Sequence, residues 1–273
     1  MLLAIDVGNS NTVLGLYRLA GDSTGETQAE PGLVAHWRVT TPEQRTADEF
    51  GIQMQSLFKL NGLATTVVSG IAISSVVPPL DSTLRAVCES FFKVRPLFIE
   101  PGVKTGLPVL TDNPSEVGAD RIVNCVAAFE RFKSACVVVD MGTATTFDVV
   151  SAKGEFIGGA IAPGLGISAD ALFTRAARLP RIDVKKPAKV IGTGTVDNIQ
   201  IGLYYGYIGL VDGILERMLA ELGPGTQTIA TGGLAKLIAS GSKYLSTVDE
   251  NLTLNGLRII YERNLERMKL RGR

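Results

Sequence analysis

Histidine and cysteine are scarce in this chain of 273 residues, which has one His (His36) and three Cys (Cys88, Cys125 and Cys136). The cysteines stand in apolar surroundings and are too few for a disulfide scaffold or a zinc site. A lone histidine leaves no His-rich metal centre and argues against a His-based catalytic triad. No Gly-Lys dipeptide occurs, so a Walker-type phosphate loop is absent. Neither sign of charge dominates, with 27 Lys+Arg against 27 Asp+Glu. Without a global field, neither nucleic acid nor an anionic membrane is expected as a partner. The N-terminus lacks a basic n-region and a cleavage site, and Asp6 interrupts its apolar run, so it does not read as a signal peptide. Residues 60–80 carry no charge and have spanning length, yet Gly, Pro, Ser and Thr break them up. There "GIAISSVV" reads as a buried strand, and the expectation is a cytoplasmic protein.

What is present points to a well-filled core: 45% of residues are hydrophobic and 20% charged. The length suits one large domain or two of ordinary size. An internal repeat favours two. "LLAIDVGNSNTVLGLY" begins at residue 2 and "CVVVDMGTATTFDVV" at residue 136, half a chain apart. Laid together, Asp6, Gly8 and Thr12 fall on Asp140, Gly142 and Thr146. Around these segments strand and helix patterns alternate, as in an α/β fold with helices packed on sheets. Residues 13–19 and 33–39 read as strands joined by a Gly/Ser/Thr/Glu-rich hairpin extension at 20–32. A helix follows Thr46, its N-cap, and ends near Gly62. "LDSTLRAVCESFFK", "GISADALFTRAARL", "VDNIQIGLYYGYIGLVDGILERMLAELG" and "LAKLIASG" read as helices, and "EFIGGAIAP" and "TQTIATGG" as strands. The basic "ERNLERMKLRGR" reads as a solvated helix end suited to the helix dipole.

A carboxylate beside a glycine-rich turn suits phosphate and cation chemistry. The glycine lets backbone N–H groups approach an anion, and hydroxyls and amides add donors. The carboxylate acts through magnesium or its bound waters, since direct contact with phosphate is repulsive. A single such segment is equally an ordinary turn between two strands; two at half-chain spacing argue for a polyphosphate held from two turns. "GLGISA" matches a dinucleotide-type G-x-G-x-x-A, but Pro163 directly precedes it. In "TGGLAK", Gly232 and Gly233 either let the backbone pass close to a purine or ribose or simply make a strand-to-helix turn. In "DNPSEVGADRIVNCVAAFERF", Ile122, Val123, Val126 and Phe129 form an apolar helix face. Asp120 and Arg121 precede that face, with Gly118 and Ala119 leaving room for a ligand. Asp120 could accept a hydroxyl proton and Arg121 could take a carboxylate in bidentate fashion. As an isolated dipeptide, the pair reads first as a helix cap or a surface ion pair.

In order, "DVGNSNTVLG", "ISSVVPP", "PGVKTGLPV", "DNPSEVGADRIVN", "VVDMGTATTFD", "GGAIAPGLGIS", "LPRI" and "ATGGLAKLI" resemble the type III pantothenate kinases, of the sugar kinase, Hsp70 and actin superfamily. The resemblance covers essentially the whole chain. It implies two duplicated ribonuclease H-like (actin-like ATPase) domains, at 1–115 and 116–273, with ATP and substrate in the cleft between them. It implies ATP-dependent phosphorylation of pantothenate to 4'-phosphopantothenate, which opens coenzyme A biosynthesis, by a homodimer using magnesium and a monovalent cation, potassium or ammonium. By motif, the resemblance implies that Asp6, Val7, Gly8, Asn9, Ser10, Asn11, Thr12 and Val13 form the first phosphate loop, with Asp6 managing magnesium indirectly. The resemblance further implies that Thr143 contacts ATP from the second loop, that Asp140 is the potassium ligand, and that Gly232 and Gly233 lie by the adenosine. It also implies that Gly118, Ala119, Asp120 and Arg121 hold pantothenate, with Asp120 as the base on its primary hydroxyl. Ser10 stands where Thr is usual. Thr111 stands where the family often has a substrate-contacting Tyr. Gly194 stands where Asn commonly precedes the substrate-side threonine, here Thr195. The rival readings are a catalytically inactive nucleotide-binding regulatory homologue, a superfamily kinase for another hydroxylated acid, and an actin-like filament former.

Overall fold

In the computed structural model, which describes residues 1–19, 32–42 and 44–271, the strand and helix patterns resolve into two mixed sheets with helices. The chain runs β1 (Leu2–Val7), β2 (Asn11–Arg18), β3 (Gly32–Thr40), α1 (Ala47–Leu60), β4 (Gly70–Ser75), α2 (Asp81–Val87), β5 (Leu97–Phe98) and α3 (Ala119–Phe132). It continues through β6 (Cys136–Met141), β7 (Ala144–Val150), β8 (Phe156–Pro163), α4 (Leu165–Arg175), α5 (Thr195–Leu222), β9 (Gln227–Thr231), α6 (Ala235–Ala239) and α7 (Leu252–Arg271). The expected hairpin extension at 20–32 lies outside the described residues, apart from Gly32, which opens β3.

Two compact units result, and they do not divide at 115/116. One comprises Met1–Gly106, Ser115–Ala127 and Thr253–Arg273; the other comprises Leu107–Pro114 and Ala128–Leu252. The reason is α7, which returns to the first sheet. Its Tyr261 covers Gly70, its Leu254 side chain lies 2.8 Å from where a Cβ on Gly15 would sit, and Asn255 accepts from the Tyr17 hydroxyl at 3.0 Å. Thr253 donates to Asn124 of α3 at 2.7 Å, so the start of α3 goes with it. Residues 107–114 leave for the other unit because they pair with β8: Phe156 N–H donates to the Pro108 carbonyl and Leu110 N–H to the Phe156 carbonyl, both at 2.8 Å.

In the first unit the sheet order is β3-β2-β1-β4-β5, with β1 antiparallel to β2 and parallel to β4. α1 begins with a capping box in which Thr46 and Glu49 satisfy each other's backbone N–H groups. Its residues Phe50, Met54 and Phe58 recur every four positions and fill the core beneath the sheet with Leu80, Leu84 and Phe92. The expected helix over 80–93 is shorter: α2 ends at Val87 and the chain closes in a π-type turn over Cys88–Phe92.

In the second unit the order is β8-β7-β6-β9, again with an antiparallel hairpin and a parallel fourth strand. The fifth strand is reduced to a single parallel bridge between Ala230 and Val248. α5 buries a stripe of Tyr204, Tyr207, Ile208, Val211 and Leu215 against Val137, Val139 and Phe147. α4 stops at Arg175, four residues before the end of the run expected to be helical.

The duplicated hairpins differ by one residue. Asp6 pairs with Val13 and Val7 with Thr12, whereas Asp140 pairs with Thr146 and Met141 with Thr145. The structural counterpart of Thr12 is therefore Thr145, not Thr146, because the first turn (8–11) is one residue longer than the second (142–144).

Candidate active site

The first turn closes with the Gly8 N–H donating to the Asn11 carbonyl at 3.0 Å. Asn9, Ser10 and Asn11 are exposed and Asp6 is half-buried, so the turn offers polar groups to an anion beside a carboxylate. Thr12 does not present its side chain there. It is buried, and its hydroxyl shares a 2.9 Å hydrogen bond with Thr41. Val7 likewise turns its side chain into the core. Val13 is half-buried, across from Asp6.

The turn after β4 ties this loop to Asp120. The Val76 N–H donates to the Val7 carbonyl at 3.0 Å, and the Ser75 hydroxyl donates to Asp81 at 2.6 Å. A Cβ placed on Gly118 would lie 3.8 Å from the Val76 side chain but only 2.6 Å from Asp120 Oδ1. Glycine at 118 thus makes room for the Asp120 carboxylate. Asp120 lies in the first turn of α3, and its Oδ1 accepts the Arg121 N–H at 2.8 Å. Burial raises its pKa above the ordinary 3.8, and the Arg121 N–H and guanidinium only partly oppose this. A carboxylate held in that way is a stronger base than a solvated one. The first turn and the Gly118–Arg121 segment thus belong to one unit.

In the second unit the Gly142 N–H donates to the Ala144 carbonyl at 3.0 Å, closing a turn one residue tighter than the first. Thr143 is exposed, and its carbonyl accepts the Gly164 N–H at 3.1 Å. A side chain at 164 would strike the Gly142 and Thr143 carbonyls. Gly164 is also the N-cap residue of α4, which brings the positive end of that helix against the turn, a favourable setting for phosphate. Gly232 has φ +94, and a Cβ there would lie 2.7 Å from Asp140 Oδ1 and from the Met141 backbone. The need for glycine at 232 therefore has a cause within the protein: the end of β9 passes directly against Asp140. Gly233 is exposed beside it.

Thr111 and Thr195 both belong to the second unit. The Thr111 hydroxyl oxygen is buried without a hydrogen-bond partner among the described residues. Thr195 is exposed and opens α5 after Gly194. Sequence reasoning did not single out the Ser75–Asp81 pair, the packing of Gly164 against the 142–143 carbonyls or the Thr145–Tyr207 hydroxyl contact. The first two lie inside the quoted motifs "ISSVVPP" and "GGAIAPGLGIS", or one residue past Leu80, but their roles depend on chain crossings that no local pattern encodes.

Among the described residues no three His, Cys, Asp or Glu side chains cluster as metal ligands, and no helix is long and apolar enough to cross a membrane. Cys88 and Cys136 are buried, with their thiols pushed up to about 12 by burial.

A profile of the type III pantothenate kinases matches residues 2–217. A type III pantothenate kinase from Koribacter versatilis is 60% identical over 264 residues, 97% of this chain and 96% of its own. Another, from Acidobacterium capsulatum, is 59% identical over 263 residues, covering 96% and 94%. The chain belongs to the type III pantothenate kinases. Among solved structures, a candidate 2-dehydro-3-deoxygalactonokinase from Sinorhizobium meliloti superposes with TM-score 0.56 at 13% identity, covering 96% of this chain and 99% of its own. The two mixed sheets are thus those of the sugar kinase and actin-like ATPase fold, as the sequence of this family member implied.

Proposed function

We propose that this chain transfers the γ-phosphoryl group of ATP to the primary hydroxyl of pantothenate, giving 4'-phosphopantothenate at the start of coenzyme A biosynthesis. Family membership supports the activity. The observation that carries the mechanism is the seat of Asp120: a partly desolvated carboxylate on Gly118, in the same unit as the first phosphate turn and linked to it through Val76 and Val7.

In this reading Asp120 accepts the hydroxyl proton as the oxygen attacks phosphorus, and Arg121 takes the pantothenate carboxylate. Phosphoryl transfer passes through a loose transition state, so positioning and charge neutralisation supply most of the acceleration. Within the first unit the turn at 8–11 serves as a phosphate turn; within the second, the turn at 142–144, Thr143 included, donates to ATP oxygens and Gly232 and Gly233 border the adenosine. Thr111 and Thr195 are pantothenate contacts, and the unpartnered Thr111 hydroxyl supports a ligand-facing role for it.

Oxygen donors suit hard cations, and the two turns supply them. Asp6 would hold magnesium through water, and magnesium supplies neutralising charge on the transferred phosphates. Asp140, closely flanked by Gly232 and with Gly142 beside it, would take the monovalent cation. With no cluster of three acidic, histidine or cysteine ligands among the described residues, such a cation completes its shell with hydroxyl, carbonyl, water or phosphate oxygens.

The homodimer is supported by apolar side chains exposed on the second unit, Ile191 (82%), Ile161 (65%) and Val190 (63%), which a partner copy would cover. Sedimentation at twice the mass of the chain is the expected result. For the activity, ADP release is measured with and without pantothenate, and the product is weighed by mass spectrometry. Pantothenate-dependent ADP release with a product one phosphate heavier is expected. Nucleotide binding without turnover would overturn the proposal.

A further inference from the structure

Asp148 on β7 is a carboxylate with no exposed surface, outside every role assigned above. The hairpin registers make its counterpart in the first unit Gly15, since each lies two residues beyond the partner of the turn's aspartate. The first sheet is built without a carboxylate at that position, so the fold does not demand one. Burying a carboxylate is costly unless hydrogen bonds satisfy it. At Asp148 one such bond comes from its own strand: the Thr146 hydroxyl donates to Oδ2 at 2.8 Å.

Thr146 is the residue directly across from Asp140. Strand alternation puts Asp140, Thr146 and Asp148 on one face of the sheet, while Val139, Phe147 and Val149 fill the core on the other. A hydroxyl has one proton to donate. With that proton held by Asp148, the Thr146 oxygen presents lone pairs beside the Asp140 carboxylate instead of donating to it. On the β8 side of Asp148 stands Gly159, where no side chain fits against the Phe147 carbonyl, so the row stays uncrowded.

We propose that Asp148 is a positioning residue for the second turn: by holding the Thr146 proton it makes Thr146 an oxygen acceptor that joins Asp140 in binding a monovalent cation. This rests on the reading of Asp140 as a cation ligand. Asp148→Asn can donate its amide to Thr146 and release the hydroxyl proton toward Asp140; Thr146→Val removes the acceptor; Thr146→Ser keeps it.

The test reads binding apart from turnover. KCl is titrated into the protein with ADP, N-methylglucamine chloride holding ionic strength constant, and the rise in melting temperature gives the midpoint. Asp148→Asn and Thr146→Val are each expected to weaken the midpoint about 10–100-fold, as outer-shell partners of bound metals do, with Thr146→Ser near wild type. An unchanged midpoint in either variant overturns the proposal, and Thr146→Val alone decides it where Asp148→Asn does not fold. Asp140→Asn runs alongside: if it shifts the midpoint while Asp148→Asn does not, only the positioning role fails. If Asp140→Asn also leaves the response unchanged, or wild type ignores KCl, the cation reading itself fails.

Discussion

Replacing Asp120 with Asn separates catalysis from stability in opposite directions. The change keeps the shape against Gly118 and keeps an oxygen to accept the Arg121 N–H, now at 2.8 Å. It removes the proton acceptor. Loss of a general base costs about 10²–10⁴-fold in kcat, or about 2.7–5.4 kcal/mol of transition-state stabilisation at 1.36 kcal/mol per tenfold. Stability moves the other way. Burial raises the Asp120 pKa in the folded state above its ordinary 3.8, so the folded protein binds this proton more tightly than the unfolded chain. The resulting stabilisation is complete below pH 3.8 and is lost as pH rises through the folded pKa. At neutral pH the wild type therefore carries a charged, partly desolvated group that Asn does not. The variant should melt at or above the wild-type temperature at pH 7.5, and any advantage should vanish in acid. Wild-type kcat/KM should fall with decreasing pH along a limb set by Asp120, and this limb should be missing from the residual activity of the variant. Steady-state ADP release and thermal melts across pH 4–9 measure all three. A folded Asp120→Asn enzyme with kcat within threefold of wild type would refute the base assignment, and a lower melting temperature at pH 7.5 would refute the desolvation argument.

Three further outcomes follow from the same geometry. Gly232→Ala combines left-handed strain of about 1–3 kcal/mol with overpacking of about 1–3 kcal/mol against the Met141 backbone. Its melting temperature should drop and its KM for ATP should rise; a stable variant with normal KM would contradict the close passage of β9 by Asp140. Gly70→Ala should destabilise by about 1–3 kcal/mol because its methyl would meet the Tyr261 ring; denaturant titration would expose an error in the seating of α7 if the midpoint stays put. With Cys88 and Cys136 buried and their thiols pushed up to about 12, and Cys125 buried too, a thiol reagent should find no fast site in the native protein and three after denaturation.

The sequence carried the fold further than it carried the side-chain geometry. Apolar strands before each Asp-x-Gly turn, the Thr46 cap and the four-residue recurrence of Phe50, Met54 and Phe58 are local signals, and each produced its element. The Gly118–Arg121 segment was readable as a candidate site because glycine beside a carboxylate has a local meaning, and the structure shows the close approach of Gly118 to Asp120 behind that reading. What escaped depends on contacts distant in sequence. The return of α7 to the first sheet shows only when Tyr261 meets Gly70 and Leu254 meets Gly15. The inward turn of Thr12 requires Thr41, and Gly232 could be explained only once Asp140 lay against it.

The repeat misled in one place, and the error is informative. Aligning the halves without a gap equates Thr12 with Thr146, whereas the hairpin registers equate it with Thr145. The true pair behaves alike: Thr12 and Thr145 are both buried and both spend their hydroxyls on a neighbouring hydroxyl, Thr41 in one case and Tyr207 in the other. These threonines brace the strand behind each turn, which explains why both halves keep them whatever the turn binds. The positions that differ lie on the opposite face, where Val13 and Gly15 answer to Thr146 and Asp148. The two halves thus share the hairpin and its inner brace, while the opposite face carries polar groups next to Asp140 in the second half and none at the matching positions of the first. The two turns need not then hold the same ion, and swapping Val13 and Gly15 for Thr and Asp should not give the first turn the cation response proposed for the second, because Leu254 already occupies the space over Gly15.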